Sequence, residues 1–262
     1  MSAIALRMVG ADFLKLRKRR GTLVWALVLT LLPLLVYFIV RAAQHSSSPA
    51  EHGPAGGTAG YTDAVRILAV FFGPLAAIMI GTDGGAGDLA AGVFRDLVVT
   101  GRSRVALFAS RVPAALGLCW LVAGFGYLLL VVGTVVFAGS SPNPSGALFL
   151  NGLAFTLLST GVICVVAVGF SALTGSRPAA LTVLIGWQLV ASPVLANISS
   201  LGSSRRLVLS QAIVHFSPIS LGDRGGRGVT ITMGGATAII VIVGWIALFG
   251  ALGAWRTRRM DA

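Results

Sequence analysis

Charge is missing from long tracts of this chain, and that restricts its fold more than any other feature. Positions 22–40, 67–82, 112–176, 178–204 and 228–255 contain no Asp, Glu, Lys or Arg. A helix crosses the roughly 30 Å hydrocarbon core of a bilayer with about 20 apolar residues, so each tract can span once, the second by borrowing flanking residues. The tract 112–176 is too long for one crossing. It is interrupted by Ser140-Ser141-Pro142-Asn143-Pro144-Ser145-Gly146, a run of turn formers that divides it into two helices joined by a hairpin. Six spans follow, at about 22–41, 64–82, 112–139, 147–172, 178–199 and 230–255.

Composition points the same way. With 56% hydrophobic residues, 11% charged residues and a mean hydropathy of +0.90, the chain lies outside the range of soluble domains. Lipid offers no water to unpaired backbone groups, and the apolar tracts lack the alternation of a membrane β-barrel. The expected fold is therefore an all-α integral membrane protein, with a transmembrane domain over 22–262.

The net charge of +12 raises the question of nucleic acid, but its distribution gives another answer. Fourteen of the twenty Lys and Arg residues fall on one side of the six-span arrangement: before span one, between spans two and three, between four and five, and after six. Positive residues are retained on the cytoplasmic face, so both termini are expected there, in a multi-pass protein of the plasma membrane. The run Lys15 to Arg20 is a topology signal on this reading, and no nucleic-acid partner is expected. Arg outnumbers Lys 18 to 2, a bias common in G+C-rich bacterial genomes. The first apolar run exceeds the roughly 7–15 residues of a signal-peptide core, so span one is expected to be retained.

Before span one, Leu6, Val9, Phe13 and Leu16 recur at helical spacing, opposite Arg7, Ala11, Lys15 and Lys18. Residues 1–21 thus read as an amphipathic helix in the membrane interface, its basic face toward lipid phosphates, or else as a short helix packed on protein. Pro33, Pro74 and Pro193 are each able to kink their spans. Gly117, Gly124, Gly126, Gly244, Gly250 and Gly253 would allow close helix approach. The Ser-, Gly- and Pro-rich loop 44–60 is expected to be mobile, whereas 201–228 holds an apolar stretch, 207–216, that suits a re-entrant or interfacial outer helix.

Catalytic chemistry finds no foothold. The span interiors carry no ionisable group; His45, His52 and His215 share no metal-binding spacing; Cys119 and Cys164 read as buried apolar residues. Asn197-Ile198-Ser199 is read as a chance glycosylation sequon. Asp83 and Asp88 form a carboxylate pair with neither nucleophile nor histidine on their side. With lysine only at 15 and 18, no phosphate loop of the form GxxxxGK[ST] can be written in these residues. Catalytic, cofactor and metal sites are therefore not expected on this chain.

Within 83–104 an acidic residue, Asp88, precedes Gly92, Arg95, the apolar pair Leu97-Val98 and the dipeptide Ser103-Arg104. This order resembles the cytoplasmic segment of type 2, export-type permeases of ATP-binding-cassette transporters. There a pattern like Gly-Thr-x-Arg-x-Leu-Leu precedes Ser-Arg and the third helix. Val93 replaces the Thr, and Gly101-Arg102 stands where a proline is frequent. The basic entry helix and the six spans extend the likeness over nearly the whole chain.

The resemblance implies that 83–104 is a coupling segment docking on a separate cytoplasmic ATPase subunit, which holds the ATP and Mg. It assigns that role to Asp88, Gly92, Phe94, Arg95, Leu97, Arg102 and Arg104: Phe94 and Leu97 as apolar anchors, the three arginines as partners of acidic groups. It also implies a second permease copy or paralogue, because one six-helix half lacks the second wall of a path. Two other classes compete. One is a membrane scaffold or signalling subunit. The other is a gradient-driven carrier, for which Gln188, Ser192 and Ser199, on one face of span five, would line a polar path.

Overall fold

Three of the long helices begin where a serine hydroxyl captures a free backbone N–H. Ser103, Ser145 and Ser176 each accept from the amide three residues on, those of Ala106, Leu148 and Ala179. The computed structural model describes residues 3–90, 92, 103–219 and 233–259, and among them there is no strand. In chain order the helices are α1 (Ala3–Lys18), α2 (Arg20–Ser47), α3 (Gly57–Val65), α4 (Gly73–Ala90), α5 (Arg104–Val136), α6 (Gly146–Thr174), α7 (Arg177–Gly186), α8 (Ser192–Asn197), α9 (Leu209–Val214) and α10 (Gly235–Arg259). Two π-helical segments, Arg66–Phe72 and Trp187–Ala191, join α3 to α4 and α7 to α8.

Six continuous runs are long and apolar enough to cross a membrane: Arg20–Ser47, Gly57–Asp88, Arg104–Val136, Gly146–Thr174, Arg177–Asn197 and Gly235–Arg259. The number matches the sequence reading; the ends do not. The second run continues past 82 and the third begins at Arg104, well before 112. Uncharged tracts mark hydrocarbon, whereas helices run on into the interface, where charged residues are just as helical. At 33 residues α5 is about 50 Å long, well beyond the hydrocarbon thickness.

The second and fourth runs form the centre, with 61% and 67% of their apolar windows buried, against 17–22% for the first, fifth and sixth. Small residues bring α4 and α6 together. A Cβ on Gly81 would lie 2.6 Å from the Cys164 carbonyl oxygen, and one on Gly85 would strike the Ser171 hydroxyl and the Val168 carbonyl. This four-residue spacing is a helix-contact motif of membrane bundles, and it was not among the glycines singled out from sequence. Of those, Gly126 packs on Leu68 and Thr30 and Gly253 on the Gly169 carbonyl, whereas Gly124, Gly244 and Gly250 face open space.

The π segments have a common cause. Gly73 N–H bonds back five residues to Leu68 and Ser192 N–H to Trp187; the next residue in each case is proline, Pro74 or Pro193, which has no N–H to offer. In the first segment the carbonyl left over, Ala69 O, accepts instead from Ser159 Oγ at 2.6 Å.

One expectation is corrected here. Segment 44–60 is not a loose loop: α2 continues to Ser47, His45 Nδ1 lies 2.6 Å from the His52 carbonyl oxygen, and Gly56 N–H donates to Phe137 O at 2.8 Å. Backbone pairing with the α5–α6 connection holds this stretch, which side-chain periodicity could not show. In α1, Leu16 is buried and Val9 and Phe13 pack beside it, but Leu6 is exposed and Lys15 turns inward. Three of the four stripe residues thus pack on the bundle, as the protein-packed reading of 1–21 expects, and Lys15 beside them pairs with Asp88 on α4. The outer segment comprises a 3-10 turn, Ser199–Leu207, and α9, whose Leu209, Ala212 and Ile213 are buried; residues 220–228 lie outside the described residues.

Candidate functional site

The charged residues at the end of the second span do not end the helix; they sit inside it. Asp83 and Asp88 lie on α4 and are 3% and 5% exposed. Five residues apart, they point about 140° from each other around the helix and meet different partners. Asp83 faces α2 and α7. Its Oδ1 accepts from Arg19 Nη1 at 3.0 Å and pairs with Arg177 Nε at 2.7 Å, while Thr22 Oγ1 donates to Oδ2. Asp88 faces α1 and α5, where Lys15 Nζ donates to Oδ1 at 2.6 Å and Arg111 Nη2 to Oδ2 at 2.9 Å.

Further contacts tie these two centres into one junction. Arg111 Nη1 donates to the Gly85 carbonyl at 3.2 Å, Arg177 Nη2 to Thr22 Oγ1 at 3.2 Å, and Ser110 Oγ to Asp12 Oδ2 at 2.6 Å; Lys15 also lies 3.7 Å from Asp12. Gly87 leaves room for the Arg19 guanidinium, which a Cβ at that position would strike. Helices α1, α2, α4, α5 and α7 thus meet through three carboxylates and four cations, Lys15, Arg19, Arg111 and Arg177. The balance is one positive charge.

The expectation of span interiors free of ionisable groups is overturned at this end. Ending each span at the first charge excluded charged helix by construction. Arg111 and Asp88 form the most enclosed pair, with side chains 4% and 6% exposed. Removing one partner of such a pair strands a buried charge, which costs far more than the pair contributes. Lys15 is 36% exposed, so solvent screens most of its share.

Among the residues implied by resemblance, Asp88 is part of the junction. Gly92 is an exposed turn residue with φ +70°, and Arg104 donates from Nη1 to the Arg258 carbonyl at 3.3 Å, binding the start of α5 to the end of α10. The described ends, α1 and the last turn of α10, therefore lie at the junction's end of the bundle. Phe94, Arg95, Leu97 and Arg102 lie outside the described residues.

The trio on span five is not one stripe. Gln188 stands in the π segment, Ser192 is buried with its Oγ 2.5 Å from Ser210 Oγ, and Ser199 begins the 3-10 turn after the span has ended. Gln188, Ser210 and Ser159 do line a small void of about 20 Å³ beside α9. Cys119 and Cys164 are both buried, the former with Sγ 3.6 Å from the Thr160 carbonyl. Among the described residues, no group of three His, Cys, Asp or Glu side chains is placed to hold a metal.

No protein-family model matches this chain, and no curated protein matches it. Sequence reasoning had noted Asp83 and Asp88 as a pair but not Lys15, Arg19, Arg111 and Arg177 as their partners. One signal was available: only eight acidic residues accompany twenty basic ones, so an acid at a span end is surrounded by candidate partners.

Proposed function

We propose that this chain is the permease subunit of an ATP-driven exporter, working as a dimer and powered by a separate ATPase subunit. The observation that carries the reading is the ionic junction at the foot of the connection between the second and third spans. A force applied to that connection would reach α1, α2, α5 and α7 through charge pairs, without first deforming the apolar core. The lightly buried first, fifth and sixth spans leave broad apolar faces for lipid and for a second copy, and the resemblance of 83–104 to a coupling segment supplies the partner's class. On this reading both termini are in the cytoplasm, which the distribution of Lys and Arg supports, and the membrane is the plasma membrane.

Co-expression with candidate ATP-binding-cassette ATPase subunits tests the proposal. A stable complex is expected, and Phe94→Ala with Arg95→Ala should leave the permease folded while lowering its stimulation of ATP hydrolysis by about tenfold, the effect of losing interface anchors worth somewhat over 1 kcal/mol. A well-folded permease that binds no ATPase overturns the reading. The buried carboxylates favour a second one, a carrier driven by an ion gradient. Ion-dependent uptake into vesicles without ATP would establish that alternative.

A further inference from the structure

A groove of about 550 Å³ opens beside the junction, and neither the exporter reading nor the ion pairs account for it. Its floor is one stripe of α4, Met79, Asp83 and Gly87, at successive four-residue steps. Its walls are the first turns of α2, with Gly21, Thr22 and Trp25, and the start of α7 at Arg177. One end is therefore cationic and the other, between Trp25 and Met79, apolar. Trp25 is 61% exposed, and aromatic residues of this kind collect at the headgroup level of a bilayer.

Three features suit the cationic end to a phosphate. Arg19 and Arg177 share the single carboxylate of Asp83, which is almost wholly covered, so among the described residues the two guanidinium groups meet one negative charge and leave a net positive charge at the groove. Both arginines are about a third exposed and able to turn N–H groups outward while keeping Asp83. The N-terminus of α2 also opens into the groove with no side chain capping it, so its first amides and the helix dipole favour an anion there. Gly21 adds no bulk in front of them, since a Cβ there would meet nothing within 4 Å.

We propose that this groove binds the phosphate of an anionic phospholipid, held by Arg19, Arg177 and the α2 N-terminus, with the lipid's apolar part running past Trp25 and Met79. A soluble phosphate shares the headgroup chemistry but not the apolar half of the groove. The proposal requires only the membrane placement of the bundle and is independent of the ATPase.

The test is retention of lipid by the purified full chain, read by native mass spectrometry after reconstitution in phosphatidylcholine with or without phosphatidylglycerol. The wild type should retain phosphatidylglycerol in preference to phosphatidylcholine. Arg177→Gln should cut that preference about fivefold, the share of one interfacial cation, and Trp25→Ala should lower retention of both lipids. Arg177→Lys, which keeps the charge, should restore most of the preference. Equal retention of the two lipids by the wild type overturns the proposal whether or not any variant folds. So does displacement of the lipid by millimolar inorganic phosphate, which would reassign the groove to a soluble anion.

Discussion

The two ends of the second span are both stitched to their neighbours by polar contacts, but in opposite currencies. At the start, Tyr61 is fully buried; its Oη lies 2.9 Å from Tyr127 Oη and donates to the Leu148 carbonyl at 2.9 Å, while Tyr127 donates to Phe149 O at 2.5 Å. The groups in that network are neutral hydroxyls and carbonyls, although Asp63 and Arg66 lie on the same stretch and Tyr37 Oη donates to Asp63 Oδ2 at 3.5 Å. At the other end the same span is held by Asp83 and Asp88 against four cations. A hydroxyl network loosens one bond at a time, whereas an enclosed ion pair fails abruptly, because the surviving charge has nowhere to go. The tyrosine end therefore suits a fixed anchor and the ionic end a switch.

Mutations should separate the two ends by size of effect. Arg111→Ala removes the enclosed partner of Asp88, leaving it only the 36% exposed Lys15, and should cost about 3–5 kcal/mol, seen as a large fall in melting temperature in detergent. If it costs no more than a hydroxyl deletion, the contrast collapses. Gly85→Ala, within the ionic end, drives a methyl into the Val168 carbonyl and should cost about 2–3 kcal/mol in the same assay. Ser159→Ala leaves Ala69 O without its replacement donor, for about 1–3 kcal/mol; amide exchange near the first π segment should rise with it. Tyr61→Phe, in the hydroxyl network, should cost about 1 kcal/mol. Lys15→Ala should cost least, under about 0.5 kcal/mol and shrinking with added salt, because its ammonium is already partly in water. A salt-independent loss as large as that of Arg111→Ala would make the junction a single rigid unit.

Much of the architecture was legible from residues. The Ser140–Gly146 turn formers do separate α5 from α6, with Ser145 as the cap, and Pro74 and Pro193 do mark the places where helix geometry changes. The candidate site was legible only in part. Asp83 and Asp88 were visible as a pair, but their role was hidden by a rule that ends a span at its first charge. The stripe Gln188, Ser192 and Ser199 assumed 3.6 residues per turn through a proline; the π turn and the helix end at Asn197 break that phase.

What the sequence alone determined is what local chemistry fixes: six apolar helices, their order and the end of the bundle where positive charge accumulates. Bilayer thickness and backbone hydrogen bonding impose those results residue by residue. Only the tertiary structure decided which of the twenty cations meet which acids. Lys15, Arg19 and Arg177 reach α4 across 73, 64 and 94 positions of chain, and nothing in spacing records such a pairing. It depends on the roll of α1 and on the close crossing of α4 with α6, and both exist only once the helices have packed.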